Sequence, residues 1–278
     1  MTESRKRIAW ETVRTVRPIC MFLLAVSVVA CAMAIKGWAL TSLLLAGLIV
    51  LIGALLVIEV HRVASHLRRR SSILAEAAAQ AEAHYVDVLR RIVTFVEARD
   101  EYKRGHSERV GRLSAQMAKQ LGLSAEKCSL LNLAGQLHDI GMLAVSESVI
   151  TRPSRLDVAE FRVVKRHPRI GYEVLKPLAS LSEVLPAILY HHERINGTGY
   201  PAGISRGEIP LGARIMAVAD CYDAMTHDRA HRRAIGALAA MEELRRCTPA
   251  AYDAACVEAL AEVVHLPALQ EAFACAQA

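Results

Sequence analysis

Two apolar stretches near the amino terminus, residues 19–35 and 39–58, restrict what this 278-residue chain can fold into more than any other feature of it. The first contains no charged residue and the second is interrupted only by Thr41 and Ser42. A bilayer's hydrocarbon core of roughly 30 Å takes about 20 helical residues, so each run suits one crossing, the first at the short end. Only Lys36, Gly37 and Trp38 separate them. A secretory signal would instead end at a small-residue cleavage site followed by polar mature sequence. The tryptophan suits the membrane–water boundary. The expected structure here is a hairpin of two transmembrane helices.

Charge is distributed to match. Residues 1–70 hold ten Lys or Arg against three Asp or Glu, whereas residues 71–278 hold 24 against 25. The basic excess belongs to the segment flanking the apolar runs: Arg5, Lys6, Arg7, Arg14 and Arg17 on one side, Arg62, Arg68, Arg69 and Arg70 on the other, and Lys36 alone in the turn. The positive-inside rule places both ends in the cytoplasm, a multi-pass protein of the inner membrane whose partner there is the lipid bilayer. The short turn leaves nothing outside to act as a sensor domain. The nearly neutral body excludes the basic face that a nucleic-acid polymer needs. Seven cysteines without any CxxC spacing argue against a disulfide framework and a thiolate zinc site, and for a reducing compartment.

The chain divides into a basic amino-terminal segment (1–18), the apolar pair (19–60), a connecting helix (61–97) and a carboxy-terminal domain (98–278). Residues 71–97 lack Pro and Gly and read as a helix continuing from the second apolar run. Val86, Leu89, Val93 and Val96 fall at helical spacing and form either a homodimer seam or one side of a solvated spacer. Beyond Asp100 the periodicity is helical throughout. Val110, Leu113, Met117 and Leu121 make one stripe ended by Gly122; Leu130, Leu133, Leu137 and Ile140 make another. Asp157 with Glu160 opens a further helix expected to run towards His167, and residues 196–212 form the Gly/Pro-dense loop. The fold class is all-α.

Histidine and aspartate carry the chemistry: His106 at a helix start, adjacent His138 and Asp139 near a helix end, then His167, the pair His191 and His192, and Asp220. Imidazole with carboxylate and no thiolate suits divalent first-row metals rather than a structural zinc. Neighbours on a helix diverge by about 100°, so neither adjacent pair chelates one ion from a single face. Two such pairs point to two ions. Taken singly, each histidine is also compatible with a surface or satisfied core position, and Asp220 with an ion pair to Arg214.

The order of these residues closely resembles the HD-GYP family of metal-dependent phosphohydrolases over residues 96–264. The matching segments are Ala98-Arg99-Asp100, Gly105-His106-Ser107 with Arg109, Leu137-His138-Asp139-Ile140-Gly141, His167-Pro168, His191-His192-Glu193, Gly197-Thr198-Gly199-Tyr200-Pro201, residues 209–215 from Ile209 to Ile215, Ala219-Asp220, and Tyr222-Asp223-Ala224-Met225-Thr226. The resemblance implies a helical domain that hydrolyses cyclic di-GMP to pGpG or GMP at two or three divalent ions, Fe or Mn. By position it makes His106, His138, Asp139, His167, His191, His192 and Asp220 metal ligands, with Asp139 a bridge and Asp139 and His138 the catalytic pair. It likewise makes Arg229 and Arg232 a phosphate clamp, sets Tyr200 beside the substrate, and implies contact between the 199–201 region and GGDEF-domain proteins.

Three departures stand out. Tyr102 replaces the glutamate that accompanies a third metal, which favours two ions and leaves His106 either a ligand or a neighbour of one. Met142 replaces the usual lysine after His-Asp-Ile-Gly, and losing one such donor costs about 10² to 10³ in rate. His231 stands near a usual aromatic. The leading expectation is therefore a membrane-anchored cyclic di-GMP phosphodiesterase. The alternatives are a catalytically weak receptor or scaffold for cyclic dinucleotide or GGDEF proteins, and a phosphohydrolase of another cyclic dinucleotide.

Overall fold

The structure, a computed structural model, describes residues 21–32, 39–152, 154–229 and 232–264. The basic amino-terminal residues, the turn holding Lys36 and Trp38, His231 and the carboxy-terminal tail lie outside the described residues. Helices and short 3-10 turns make up the chain, and no strand occurs among the described residues. Two compact units divide at Ala79/Gln80, inside a helix rather than at a loop.

In the first unit, α1 (Met21–Ala32) accompanies the start of α2 (Ala39–Glu97), a single 59-residue helix. The two touch at Gly53, where an added Cβ would lie 3.0 Å from Leu23 Cδ1. Most other apolar side chains in the first half of α2 point outward: Leu40 and Leu43 are both 75% exposed, with Leu44, Val50 and Val57 similarly bare, although Ile49 is buried. The stretch Leu40–Glu97 is long and apolar enough to cross a membrane, its most apolar window having a mean hydropathy of 2.9.

In the second unit, the last turns of α2 join α3 (His106–Gln120), α4 (Ala125–Leu137), α5 (Glu147–Ile150), α6 (Val158–Val164), α7 (His167–Leu175), α8 (Leu185–Tyr190), α9 (Leu211–Thr226), α10 (Ala237–Arg246) and α11 (Ala254–Val264). Helix α9 is the centre. Ala213, Ile215, Met216, Val218 and Ala219 are buried around most of its circumference, as expected for a helix apolar on nearly every face. It packs against α3, α8, α10 and α11. Met117, Leu137, Ile188, Leu244 and Leu260 close the core around it, each stabilising the fold by about 1.5–3 kcal/mol on burial.

Three features depart from the sequence pattern. The Leu89, Val93, Val96 side of α2 faces this unit's own interior: Val93 joins the main core, and Val96 forms a second apolar cluster with Met142 and Val145. Those positions are therefore occupied intramolecularly rather than presented as a seam. The helix opened by the Asp157–Glu160 capping box ends at Val164, and a new one starts at His167. Pro168, which lacks an N–H and suits a first turn, explains the break. Finally, of the stripe ending at Ile140, Leu137 and Ile140 are fully buried but Leu130 and Leu133 are only partly covered, Leu131 and Ala134 being buried instead, because α4 packs on α3 and α8 together.

Candidate metal centre

Helix ends deliver most of the cluster. His138 is the residue after α4 and Asp139 precedes a 3-10 turn (Ile140–Ala144); His167 opens α7 directly after α6; His191 and His192 follow α8. The last carbonyls of a helix have no partner within it. Three histidines use them: Nδ1 of His138 bonds the Gly135 carbonyl (2.7 Å), Nδ1 of His167 that of Val164 (2.8 Å) and Nδ1 of His191 that of Ile188 (2.6 Å). Donation from Nδ1 to a carbonyl fixes the tautomer and leaves Nε2 as a bare lone pair.

Those lone pairs converge. His167 Nε2 lies 3.4 Å from His191 Nε2 and 3.2 Å from Asp139 Oδ1, and His138 Nε2 lies 3.7 Å from the same Oδ1. With Nδ1 of both rings donating to carbonyls, two Nε2 lone pairs face each other at 3.4 Å, an arrangement that suits a bound cation. Burial pushes His167 and His191 below the ordinary histidine range, and pushes His192 down to about 3, keeping these rings neutral as ligation requires. Burial opposes the charge on Asp139, but Lys103 and the neighbouring histidines hold it well below the usual carboxylate range.

Asp220, one-third of the way from the end of α9, faces His106 Nε2 at 3.2 Å and His192 Nδ1 at 4.0 Å. Arg214 does not pair with it; its guanidinium meets Asp253 at 2.6 Å. One turn further along α9, Asp223 Oδ2 accepts from His106 Nδ1 (2.7 Å) while Arg109 Nε donates to Oδ1 (2.6 Å). His106 thus sits between two carboxylates. Burial lowers its pKa, the two hydrogen bonds raise it more, and it ends at about 8. Ligation through Nε2 would displace that proton.

The donors form three groups, His167/His191/His192, His106/His138/Asp220 and His138/Asp139/His191, with ligand atoms in each within 4.8 Å of one another. The set fits divalent first-row ions in chemistry and in number of donors. Glycine permits the closeness. A Cβ on Gly141 would lie 2.0 Å from the His167 carbonyl, and one on Gly199 would lie 2.4 Å from Glu193 Cα. Glu193, itself buried, accepts from the N–H groups of Ala202 (2.7 Å) and Gly203 (3.0 Å) and so fastens the Gly/Pro-dense loop. Tyr200 on that loop stacks on His192, with ring centres 4.7 Å apart.

All seven sequence-proposed ligands come together, whereas the proposed phosphate clamp is arranged differently. Arg229 and Arg232 pair through their backbones (2.8 and 3.1 Å), and the exposed Arg232 guanidinium bonds the Ala224 carbonyl at the end of α9. Neither has an ion pair with the cluster among the described residues. Periodicity and spacing did not single out Lys103, whose Nζ lies 3.1 Å from Asp139 Oδ2, nor Glu97. The buried Glu97 carboxylate accepts from the N–H groups of Gly105 (3.1 Å) and Ser107 (2.6 Å) on either side of His106. The three-residue spacing of Asp220 and Asp223 on one helix was the available signal for Asp223; Lys103 and Glu97 had none.

A family model described as HD domain matches residues 91–256. The chain is 39% identical over 176 residues, 63% of its length and 47% of the relative's, to the cyclic di-GMP phosphodiesterase response regulator RpfG of Xanthomonas campestris pv. campestris (strain 8004). It is 38% identical over 174 residues, 62% of its length and 37% of the relative's, to 3'3'-cGAMP-specific phosphodiesterase 3 of Vibrio cholerae serotype O1 (strain ATCC 39315 / El Tor Inaba N16961). The chain thus spans less than half the length of these curated relatives. Among solved structures, Bd1817, a HDG"Y"P protein from Bdellovibrio bacteriovorus, superposes with a TM-score of 0.51 at 19% identity, over 66% of this chain and 64% of that one, a likeness of fold.

Proposed function

The chain belongs to the HD domain family, and from that premise we propose that it is a membrane-anchored, metal-dependent phosphodiesterase that hydrolyses cyclic di-GMP to pGpG or GMP. One observation carries the metal-dependent chemistry: three buried histidines commit Nδ1 to carbonyls and turn Nε2 towards each other and Asp139. The substrate class follows the names of the relatives above.

His138, Asp139, His167, His191, His192 and Asp220 would hold two divalent ions, Fe or Mn, with His106 at the margin. Such ions supply Lewis acidity towards phosphate and lower the pKa of water. The protein's own groups do the rest. Backbone carbonyls orient the imidazoles, the neutral rings cost no charge repulsion, and Asp139 and Asp220 stay anionic at neutral pH. Tyr200 offers an aromatic side beside the cluster on which a guanine base can stack, and Arg229 and Arg232, beyond the end of α9, are candidates for phosphate. The bare apolar side chains of α2 support anchoring in a bilayer, with α1 completing the hairpin.

A specific observation favours a second reading. Met142 is buried with Val96 and Val145, an apolar contact at a position where the family resemblance leads one to expect a phosphate-binding lysine. A domain that binds cyclic dinucleotide, or a GGDEF partner, with little turnover would result. The deciding experiment is hydrolysis of cyclic di-GMP and 3'3'-cGAMP by the full chain in detergent, loaded anaerobically with Fe or Mn, beside Asp139→Ala. Turnover of cyclic di-GMP that Asp139→Ala abolishes supports the phosphodiesterase. Binding without turnover selects the receptor, and preference for 3'3'-cGAMP replaces the substrate.

A further inference from the structure

Among the described residues, Lys103 is the one Lys or Arg that forms an ion pair with any of the seven clustered ligands. It reaches Asp139 from 36 residues away. Its own surroundings hold it there. The 3-10 turn Glu101–Lys103 is capped by Asp100, whose carboxylate accepts from the Tyr102 N–H at 3.0 Å. Just beyond, Gly105 N–H is tied to Glu97, and the Arg104 carbonyl accepts from Arg109 Nη1 at 2.9 Å. A lysine side chain is ordinarily a loose, solvated cation. This one is only 23% exposed and is delivered by a turn braced at both ends.

Asp139 is shared asymmetrically. Its Oδ1 faces His138 and His167, and its Oδ2 faces Lys103. The lysine therefore engages the carboxylate oxygen that the two histidines do not face. Meanwhile Met142, within the Ile140–Ala144 turn, contributes a methyl-thioether to an apolar cluster with Val96 of α2. The cluster thus has a preorganised ammonium, but it comes from position 103.

We propose that Lys103 is a substrate-binding residue: its Nζ donates to a non-bridging oxygen of the phosphodiester, supplying from the 101–103 turn the positive donor that Met142 does not. The proposal deepens the phosphodiesterase reading and rests on it for the identity of the phosphate ester, while the phosphate contact itself can be measured separately. An ammonium beside anionic metal ligands opposes metal binding by charge repulsion. Removing it therefore has opposite consequences under the two roles open to it. A phosphate donor, once removed, leaves metal affinity equal or higher and weakens phosphate; a group needed only to position Asp139 leaves metal affinity lower.

The test uses the full chain in detergent with Lys103→Met, Lys103→Arg and the relocation Lys103→Met/Met142→Lys. Three quantities are read: bound Mn per chain at fixed free Mn, affinity of the Mn-loaded protein for inorganic phosphate by calorimetry, and kcat and KM for cyclic di-GMP. The expected result is that Lys103→Met keeps its Mn, binds phosphate about tenfold more weakly and loses about 10² to 10³ in kcat, as for removal of one preorganised donor. Lys103→Arg retains most phosphate affinity, and the relocated lysine recovers at least part of both losses. If wild type shows no turnover yet Lys103→Met still weakens phosphate, the phosphate contact stands and the substrate reading falls. Unchanged phosphate affinity in Lys103→Met, or loss of Mn from it, overturns the proposal, whether or not the relocation variant folds.

Discussion

Replacing Asp223 by asparagine tests the electrostatic frame behind the cluster without replacing a proposed ligand, although it alters a contact of His106. Asp223 is 2% exposed and bound by Arg109 through Nε at 2.6 Å and Nη2 at 3.1 Å, and by His106 at 2.7 Å. Burial alone would raise its pKa; the hydrogen bonds from His106 and Arg109 more than reverse this, bringing the carboxyl from 3.8 to about 2. That difference corresponds to about 2 kcal/mol of folding stability at neutral pH. The sign follows from a folded-state value below the unfolded one. The contribution is complete above about pH 5, falls to roughly half near pH 3, and vanishes below the folded value. Asp223→Asn should therefore lower the urea unfolding free energy by about 2 kcal/mol at pH 7 and by about 1 kcal/mol at pH 3. A cycle with Arg109→Met should show coupling of about 1–3 kcal/mol between the two sites. A loss below about 0.5 kcal/mol at pH 7, or one that does not shrink on acidification, would refute the reasoning.

Gly141→Ala should cost more than about 3 kcal/mol or prevent folding, since its Cβ meets the His167 carbonyl at 2.0 Å; near-wild-type urea unfolding would contradict the close approach. Glu97→Gln should lower stability by about 1.5–3 kcal/mol, because one amide oxygen cannot serve both the Gly105 and Ser107 N–H groups as the carboxylate does, and thermal unfolding checks this. Chelation followed by dialysis should abolish phosphodiester hydrolysis, and Mn or Fe should restore it; activity persisting in chelator with no metal found by elemental analysis would remove the metal from the chemistry.

The candidate ligands were legible because each is a rare residue type at a helix boundary or within an apolar helix, and such boundaries leave marks: Gly122 and the Asp157 capping box announce where helices stop and start. Contacts between distant segments leave none. Nothing in the spacing of Lys103 and Asp139, or of Glu97 and Ser107, distinguishes them from solvated charges until the fold brings them within 3.1 and 2.6 Å. The Val86-to-Val96 stripe shows the complementary limit. Helical periodicity marks an apolar side, but a second chain and the body of the same chain satisfy it equally, and here Val93 and Val96 meet the latter.

Placing ligands just past helix ends has a further physical consequence. His138, His167 and His191 each hold a carbonyl three residues back, so the orientation of Nε2 depends on where α4, α6 and α8 terminate. Replacing Pro168 by alanine would supply the N–H that pairs with the Val164 carbonyl in a continuous α6–α7 helix and so release His167 Nδ1, even though it changes no proposed ligand. The geometry of the proposed ligands is thus controlled by helix termination, and Pro168, which stops α6 from running on into α7, positions the His167 imidazole as surely as a hydrogen bond to the ring does.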